Sequence, residues 1–156
     1  MKREIERKFL ITSDDYKQNI SSEHNIIQGY LSTKPSRTVR IRVGGGKGSL
    51  TIKGETSKNG LCRLEWEKEL TIEEASQLMG LCLPNKIEKT RYKLNYKGRL
   101  FEVDIFKGLN EGLKIAEIEL NNEGDTFEKP KWLGEEVTGV KKYYNSQLCQ
   151  NPFAKW

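Results

Sequence analysis

Glu4-Ile5-Glu6-Arg7-Lys8-Phe9-Leu10, near the start of the 156-residue chain, places two carboxylates and an ammonium at every second position. Successive side chains of a β-strand leave opposite faces, so Glu4, Glu6 and Lys8 share one face while Ile5, Arg7 and Phe9 take the other. At a rise of about 3.3 Å per residue, Glu4 and Lys8 stand roughly 13 Å apart along that line. Such a row suits an extended polyanion with a metal ion at one end. By the same parity Arg3 and Arg7 face away, and neither is a candidate for the row.

The alternation recurs along the chain. Arg40 and Arg42 oppose Val39, Ile41 and Val43, and Lys53 opposes Ile52. Arg63, Glu65 and Glu67 alternate with Leu64 and Trp66, and Lys89, Arg91 and Lys93 with Tyr92 and Leu94. Glu102 and Asp104 oppose Phe101, Val103 and Ile105, and Glu117 and Glu119 oppose Ala116, Ile118 and Leu120. Turn chemistry sets the boundaries. Strands are predicted near 26–31, 38–43, 49–53, 62–70, 89–96, 100–106 and 114–120, with glycine-rich hairpin loops at 44–48 and 54–60. Thr12-Ser13-Asp14-Asp15 can cap a short helix reaching about Ile20, and Thr71-Ile72-Glu73-Glu74 has capping-box spacing for a helix to about Leu81. Residues 121–139 read as irregular and 140–149 as a terminal helix. With the opening strand these runs predict an α+β, mainly β fold: one antiparallel sheet of about eight strands, enough to close a barrel around one small ligand, with a few peripheral helices.

A half-solvated sheet also alternates apolar and polar residues. Two details favour a binding lumen here. The polar positions are dominated by full charges, and like charges stand two apart: acids in Glu4/Glu6, Glu65/Glu67, Glu102/Asp104 and Glu117/Glu119, bases in Arg40/Arg42 and Arg91/Lys93. Adjacent like charges repel, and a divalent cation shared by the acids and phosphates shared by the bases would relieve that repulsion.

The bulk numbers are compatible. The length suits a single domain, 1–156, and 27 Lys+Arg against 22 Asp+Glu give +5, which attracts anions without naming one. Cys62, Cys82 and Cys149 have no metal-type spacing and read as reduced thiols of a cytoplasmic protein. No stretch is apolar enough to span a membrane, and no signal peptide is evident. Gly44-Gly45-Gly46-Lys47-Gly48-Ser49 lacks phosphate-loop spacing and leads into a strand. His24 is the only histidine and sits in a polar stretch, which argues against Ser-His-Asp chemistry. Trp66 falls on an apolar face and reads as core, so nucleic-acid binding by aromatic stacking has little support.

In order along the chain, Glu4-x-Glu6-x-Lys8, Arg40-x-Arg42, Lys53, Arg91, Glu102-x-Asp104 and Glu117-x-Glu119 resemble the CYTH superfamily of triphosphate tunnel metalloenzymes, short bacterial type. Gln28-Gly29-Tyr30-Leu31, residues 132–138 and Tyr143-Tyr144-Asn145-Ser146 share the likeness. The resemblance implies an eight-stranded antiparallel tunnel that hydrolyses triphosphates with Mg²⁺ or Mn²⁺. Carried over by position, Lys8, Arg40, Arg42, Lys53 and Arg91 would hold phosphates, and Glu4, Glu6, Asp104, Glu117 and Glu119 the metal. Lys8, Glu6 and Lys53 would carry the chemistry. Lys142, or its neighbour Lys141, stands where family members often have an arginine, and would be a further phosphate ligand from the tail. Glu65, Glu67 and Glu102 read as metal ligands or as salt-bridge partners of the bases. The expected substrate is inorganic tripolyphosphate, with nucleoside or thiamine triphosphates as further candidates. The rival readings are a class IV-type adenylyl cyclase and a non-catalytic polyphosphate- or RNA-binding module. A monomer and a homodimer are both compatible with the sequence.

Overall fold

The computed structural model describes every residue, Met1 to Trp156. Its strands are β1 (Lys2–Ile11), β2 (Ile20–Lys34), β3 (Arg37–Gly44), β4 (Lys47–Gly54), β5 (Cys62–Leu70), β6 (Ile87–Tyr96), β7 (Arg99–Phe106), β8 (Lys114–Glu119) and β9 (Leu133–Glu136). Neighbours run β5-β4-β3-β2-β6-β7-β8-β1, and a further β5–β1 pairing closes the ring. All pairings are antiparallel, so eight strands form the expected barrel.

The ninth strand is a departure. β9 lies in the segment read as irregular and pairs with Phe9 and Ile11 of β1. On that edge β1 pairs with β5 only through Ile5, and β9 takes over where β5 diverges. The backbone N–H of Val137 then donates to the Lys8 carbonyl at 2.8 Å, and the Lys8 N–H donates to Thr138 Oγ1 at 3.0 Å. A Cβ at Gly134 would lie 2.8 Å from Thr12 Cγ2 and 3.1 Å from the Leu10 carbonyl oxygen, so only glycine lets this strand approach.

The first connector lies near its predicted bounds, with Ser13 Oγ accepting from the Asp15 N–H, while the terminal helix is shorter than predicted. Asp14–Asn19 forms a 3-10 helix, and β2 begins at Ile20, well before the predicted strand. The terminal helix resolves into a 3-10 turn at Lys141–Tyr143 followed by the short α2 (Asn145–Leu148). α1 (Ile72–Gly80) matches its capping-box signal: Thr71 Oγ1 accepts from the Glu74 N–H at 3.1 Å, and Glu74 accepts from the Thr71 N–H at 2.8 Å.

The apolar core lies largely outside the barrel wall. Phe9, Phe101, Val103 and Ile118, on the outward faces of β1, β7 and β8, are covered by Tyr16, Phe127 and Trp132. Edge-to-face contacts bind the layer, at 5.5 Å between the Phe101 and Trp132 centroids and 5.9 Å between Phe9 and Phe127. Each buried aromatic contributes about 1.5–3 kcal/mol through area removed from water. On the opposite wall Ala75 of α1 and Cys82, just beyond its end, cover Ile41. Beyond the helix the wall is bare, and Trp66 is 41% exposed rather than buried in a core. Its strand parity was right, but cover on that face of β5 reaches only the ends, Cys62 and Leu70, and leaves Leu64 and Trp66 bare. A third cluster stops one end of the lumen. Tyr30, Ile87, Phe106 and Ile115 share the parity of the charged row, and Leu148 of α2 packs among them. The three cysteines are free and buried, and no helix is long and apolar enough to cross a membrane.

Candidate active site

The strand parities converge on one cavity of about 260 Å³ lined by Glu4, Glu6 and Lys8 of β1, Arg40 and Arg42 of β3, Lys53 of β4, Arg91 of β6, and Glu117 and Glu119 of β8. Arg63, Glu65, Glu67 and Glu102 complete the charged lining. The volume lies just below the range of pockets for drug-sized ligands, about 300–1,000 Å³. Apolar lining is confined to Tyr30, Leu100 and Tyr144, so the cavity offers no apolar slot for a nucleobase.

Most of the cations are already held. Arg91 donates to both oxygens of Asp104 at 2.7 Å, to Glu117 at 2.9 Å, and to Glu102. Lys8 lies between Glu6, at 2.8 Å, and Glu117. Burial works against charge on Lys8, but Glu117 and Glu6 outweigh it and raise its pKa. Burial alone would lift the Glu117 carboxyl; Lys8, Arg91 and Lys89 hold it well below the usual carboxylate range instead. Lys53 pairs with Glu4 at 2.6 Å and Glu65 at 2.9 Å, yet burial, reinforced by Arg40 and Arg63, still lowers its pKa.

Arg40 and Arg42 differ. Arg42 touches no carboxylate; its guanidinium donates to Gln28 Oε1 at 3.3 and 3.2 Å. Burial, then Arg40 and Arg91, disfavour its charge. A guanidinium does not give up its proton in a protein, so the cost remains as a standing affinity for an anion. Arg40 donates to Thr51 Oγ1 at 2.9 Å, its nearest carboxylate oxygen is 3.7 Å away on Glu67, and its buried Nε has no partner. The anion-hungry wall is therefore β3.

The acids are unevenly free. Glu6 and Glu119 face each other in register across β1 and β8, and no cation bridges them. Glu119 is paired only with Lys2 at the open mouth, and Glu6 spends one oxygen on Lys8. Glu6 and Glu119 are hard oxygen donors of the kind a divalent cation takes, whereas both oxygens of Glu4 and of Glu117 are held by Lys53 and Arg63 and by Lys8 and Arg91, and no three carboxylates converge as a ready cluster. Asp104 is different: fully buried, with both oxygens taken by Arg91 and one also by Lys89 at 2.5 Å. The structure brings it to the basic cluster, where it fixes Arg91, and not to the Glu6–Glu119 pair.

The tail lysine is corrected. Lys142 does not line the cavity; its ammonium lies 4.4 Å from the Trp156 ring centroid and 5.0 Å from that of Tyr143, on the outer surface. A cation–π contact with two aromatics holds it there. Lys141 is exposed and also absent from the lining. The tail instead contributes Tyr144, Asn145 and Ser146. Sequence reasoning missed these, and also left Tyr30, Arg63 and Lys89 off the site. Parity alone would have added the last three; Tyr143-Tyr144-Asn145-Ser146 was marked by the family likeness, but without a role in the site.

The CYTH domain model matches residues 2–147. The chain is a member of the CYTH domain family. Among relatives of this CYTH protein, an inorganic triphosphatase of Acetivibrio thermocellus is 46% identical over 98% of this chain and 97% of its own length. An inorganic triphosphatase of Nitrosomonas europaea is 36% identical over 94% of this chain and 96% of its own. A solved crystal structure of an inorganic triphosphatase superposes with a TM-score of 0.66 at 34% identity, covering 93% of this chain and 96% of that one.

Proposed function

We propose that this CYTH protein is a metal-dependent triphosphatase whose preferred substrate is inorganic tripolyphosphate. The observation that carries the reading is the β3 pair: two lumen guanidiniums, buried Arg40 and half-buried Arg42, lacking close carboxylate partners in a small cavity with little apolar lining. The inorganic triphosphatases named above support it.

Hydrolysis of a phosphoanhydride is mainly a matter of positioning and of neutralising charge on the transferring group. Arg40 and Arg42 take the phosphoryl oxygens, their planar forks matching phosphate geometry. Arg91, fixed by Asp104, and Lys53 extend the basic wall. Lys8, clamped between Glu6 and Glu117, is a preset cation for charge that develops as the anhydride bond breaks. We assign the attacking water to Glu6, a lumen carboxylate that gives one oxygen to Lys8 and leaves the other without a partner. Glu6, Glu117 and Glu119, with Glu4, would hold Mg²⁺ or Mn²⁺, which when bound supplies Lewis acidity and charge neutralisation toward the phosphates.

The test is phosphate release from tripolyphosphate, ATP and thiamine triphosphate with Mg²⁺, with Mn²⁺ and with chelator. Release that needs metal and is fastest from tripolyphosphate is expected. Cyclic AMP and pyrophosphate from ATP would replace the reading with a cyclase, and chelator-resistant binding without turnover would replace it with a binding module.

A further inference from the structure

Two buried side-chain polar atoms in the whole molecule lack a hydrogen-bond partner: Arg40 Nε, a donor, and Asn145 Oδ1, an acceptor. Buried polar atoms are nearly always satisfied, and an exception calls for an explanation. Both residues line the same cavity, so one ligand that both accepts and donates could satisfy the pair.

Asn145 stands at the stoppered end. Beyond it Leu148 and Cys149 pack against Tyr30, Ile87, Phe106 and Ile115, closing the lumen. The segment is pinned from the approach to β6: Asn85 Nδ2 donates to the Cys149 carbonyl at 3.0 Å and Cys149 Sγ donates to the Asn85 carbonyl at 2.7 Å. The carboxamide is thus held in place without making a hydrogen bond of its own. Tyr144 and Ser146 flank it, while Lys141 and Lys142 lie outside the cavity. The tail therefore offers neutral hydrogen-bonding groups and no charge.

Linear polyphosphates have one chemical feature that fits. Each internal phosphoryl unit has a single strongly acidic oxygen, whereas each terminal unit has a second, weakly acidic P–OH that donates as well as accepts. We propose that Asn145 reads the chain end: Oδ1 accepts from the terminal P–OH while Arg40 Nε–H donates to an oxygen of the same phosphoryl group. The assignment rests on the reading that the substrate is a linear triphosphate, and makes Asn145 a specificity-determining residue that favours an end-bound chain over an internal or cyclic phosphate.

The experiment is calorimetric binding in chelator, without turnover, of linear tripolyphosphate and of cyclic trimetaphosphate, which has three phosphoryl units and no end. Asn145→Ala should weaken the linear ligand about tenfold, the scale of one hydrogen bond to a charged ligand, and leave the cyclic one within about twofold, with the melting temperature retained. Equal weakening of both ligands, or of neither, overturns the proposal. Should the wild type take only the linear ligand, a pH series decides: its advantage over Asn145→Ala must vanish as the terminal P–OH ionises, and a pH-independent advantage overturns the assignment. Linear binding without metal-dependent phosphate release would remove the hydrolytic reading and leave the role of Asn145 standing. No binding of either ligand by the wild type in chelator would overturn the assignment of Asn145 and leave the metal-dependent hydrolytic reading to the phosphate-release assay.

Discussion

Arg91 and Arg42 line one lumen, two strands apart, and their surroundings are opposite. Arg91 is gripped by Asp104, Glu117 and Glu102, whereas Arg42 meets a single carboxamide oxygen. A buried guanidinium with three carboxylates completes the protein's own charge balance. One with none leaves that balance to a ligand. The contrast separates side chains that build the tunnel from side chains that wait for an anion, although both are arginines at the same strand parity.

Replacing each residue separates the two roles. Arg91→Ala strips Asp104 and Glu117 of their main cation deep in the barrel; losing one partner of a buried charge cluster costs about 3–5 kcal/mol, and denaturant unfolding should show it. A stable Arg91→Ala would erase the distinction. Arg42→Ala should leave stability level or slightly higher, because it removes a charge that burial opposes, while tripolyphosphate turnover falls roughly 10²- to 10³-fold, as when a preorganised donor to the transition state is lost. Unfolding and steady-state kinetics on one preparation check both halves of that statement.

The smallest effect concerns Lys89, an intermediate case. Its ammonium donates to Asp104 at 2.5 Å and lies 5.5 Å from the Phe106 ring centroid. Burial, and then repulsion from Arg91, push its pKa down to about 7 even so, outweighing the pull of Asp104 and Glu117. The unfolded chain keeps this proton to about pH 10.4. Between those values the unfolded state binds more protons than the folded one, so the Lys89 contribution makes stability rise with pH from about 7 upward and is flat below. Wild type minus Lys89→Met, followed by denaturant unfolding across that window, should show the slope; a flat difference would place Lys89 with the fully compensated cations.

Much of this was legible in the sequence, because period-two alternation in charged and apolar residues is local. It marked the tunnel-facing row of β1, Arg40 and Arg42, Lys53, Arg91 and the acids of β7 and β8, and parity correctly turned Arg7 outward, where it pairs with Glu136 at 2.5 Å. It misjudged Trp66, since parity gives a face and not whether anything covers it. The alternation is silent on β9, whose Leu133-Gly134-Glu135-Glu136 has no strand pattern and exists because β1 has an edge left over where β5 departs.

The sequence by itself determined the eight alternating strands, the turns between them and the charge row each strand presents, because side-chain direction in a strand depends only on position along the chain. Tertiary structure alone decided which charges meet. Closure of β1 on β5 made one lumen of rows far apart in sequence, assigned Asp104 to Arg91, left Arg40 and Arg42 without close carboxylates, and set Asn145 rather than Lys142 at the closed end. Those pairings depend on distances across the barrel, and electrostatic and hydrogen-bond energies are fixed by distance and burial, which no local pattern encodes.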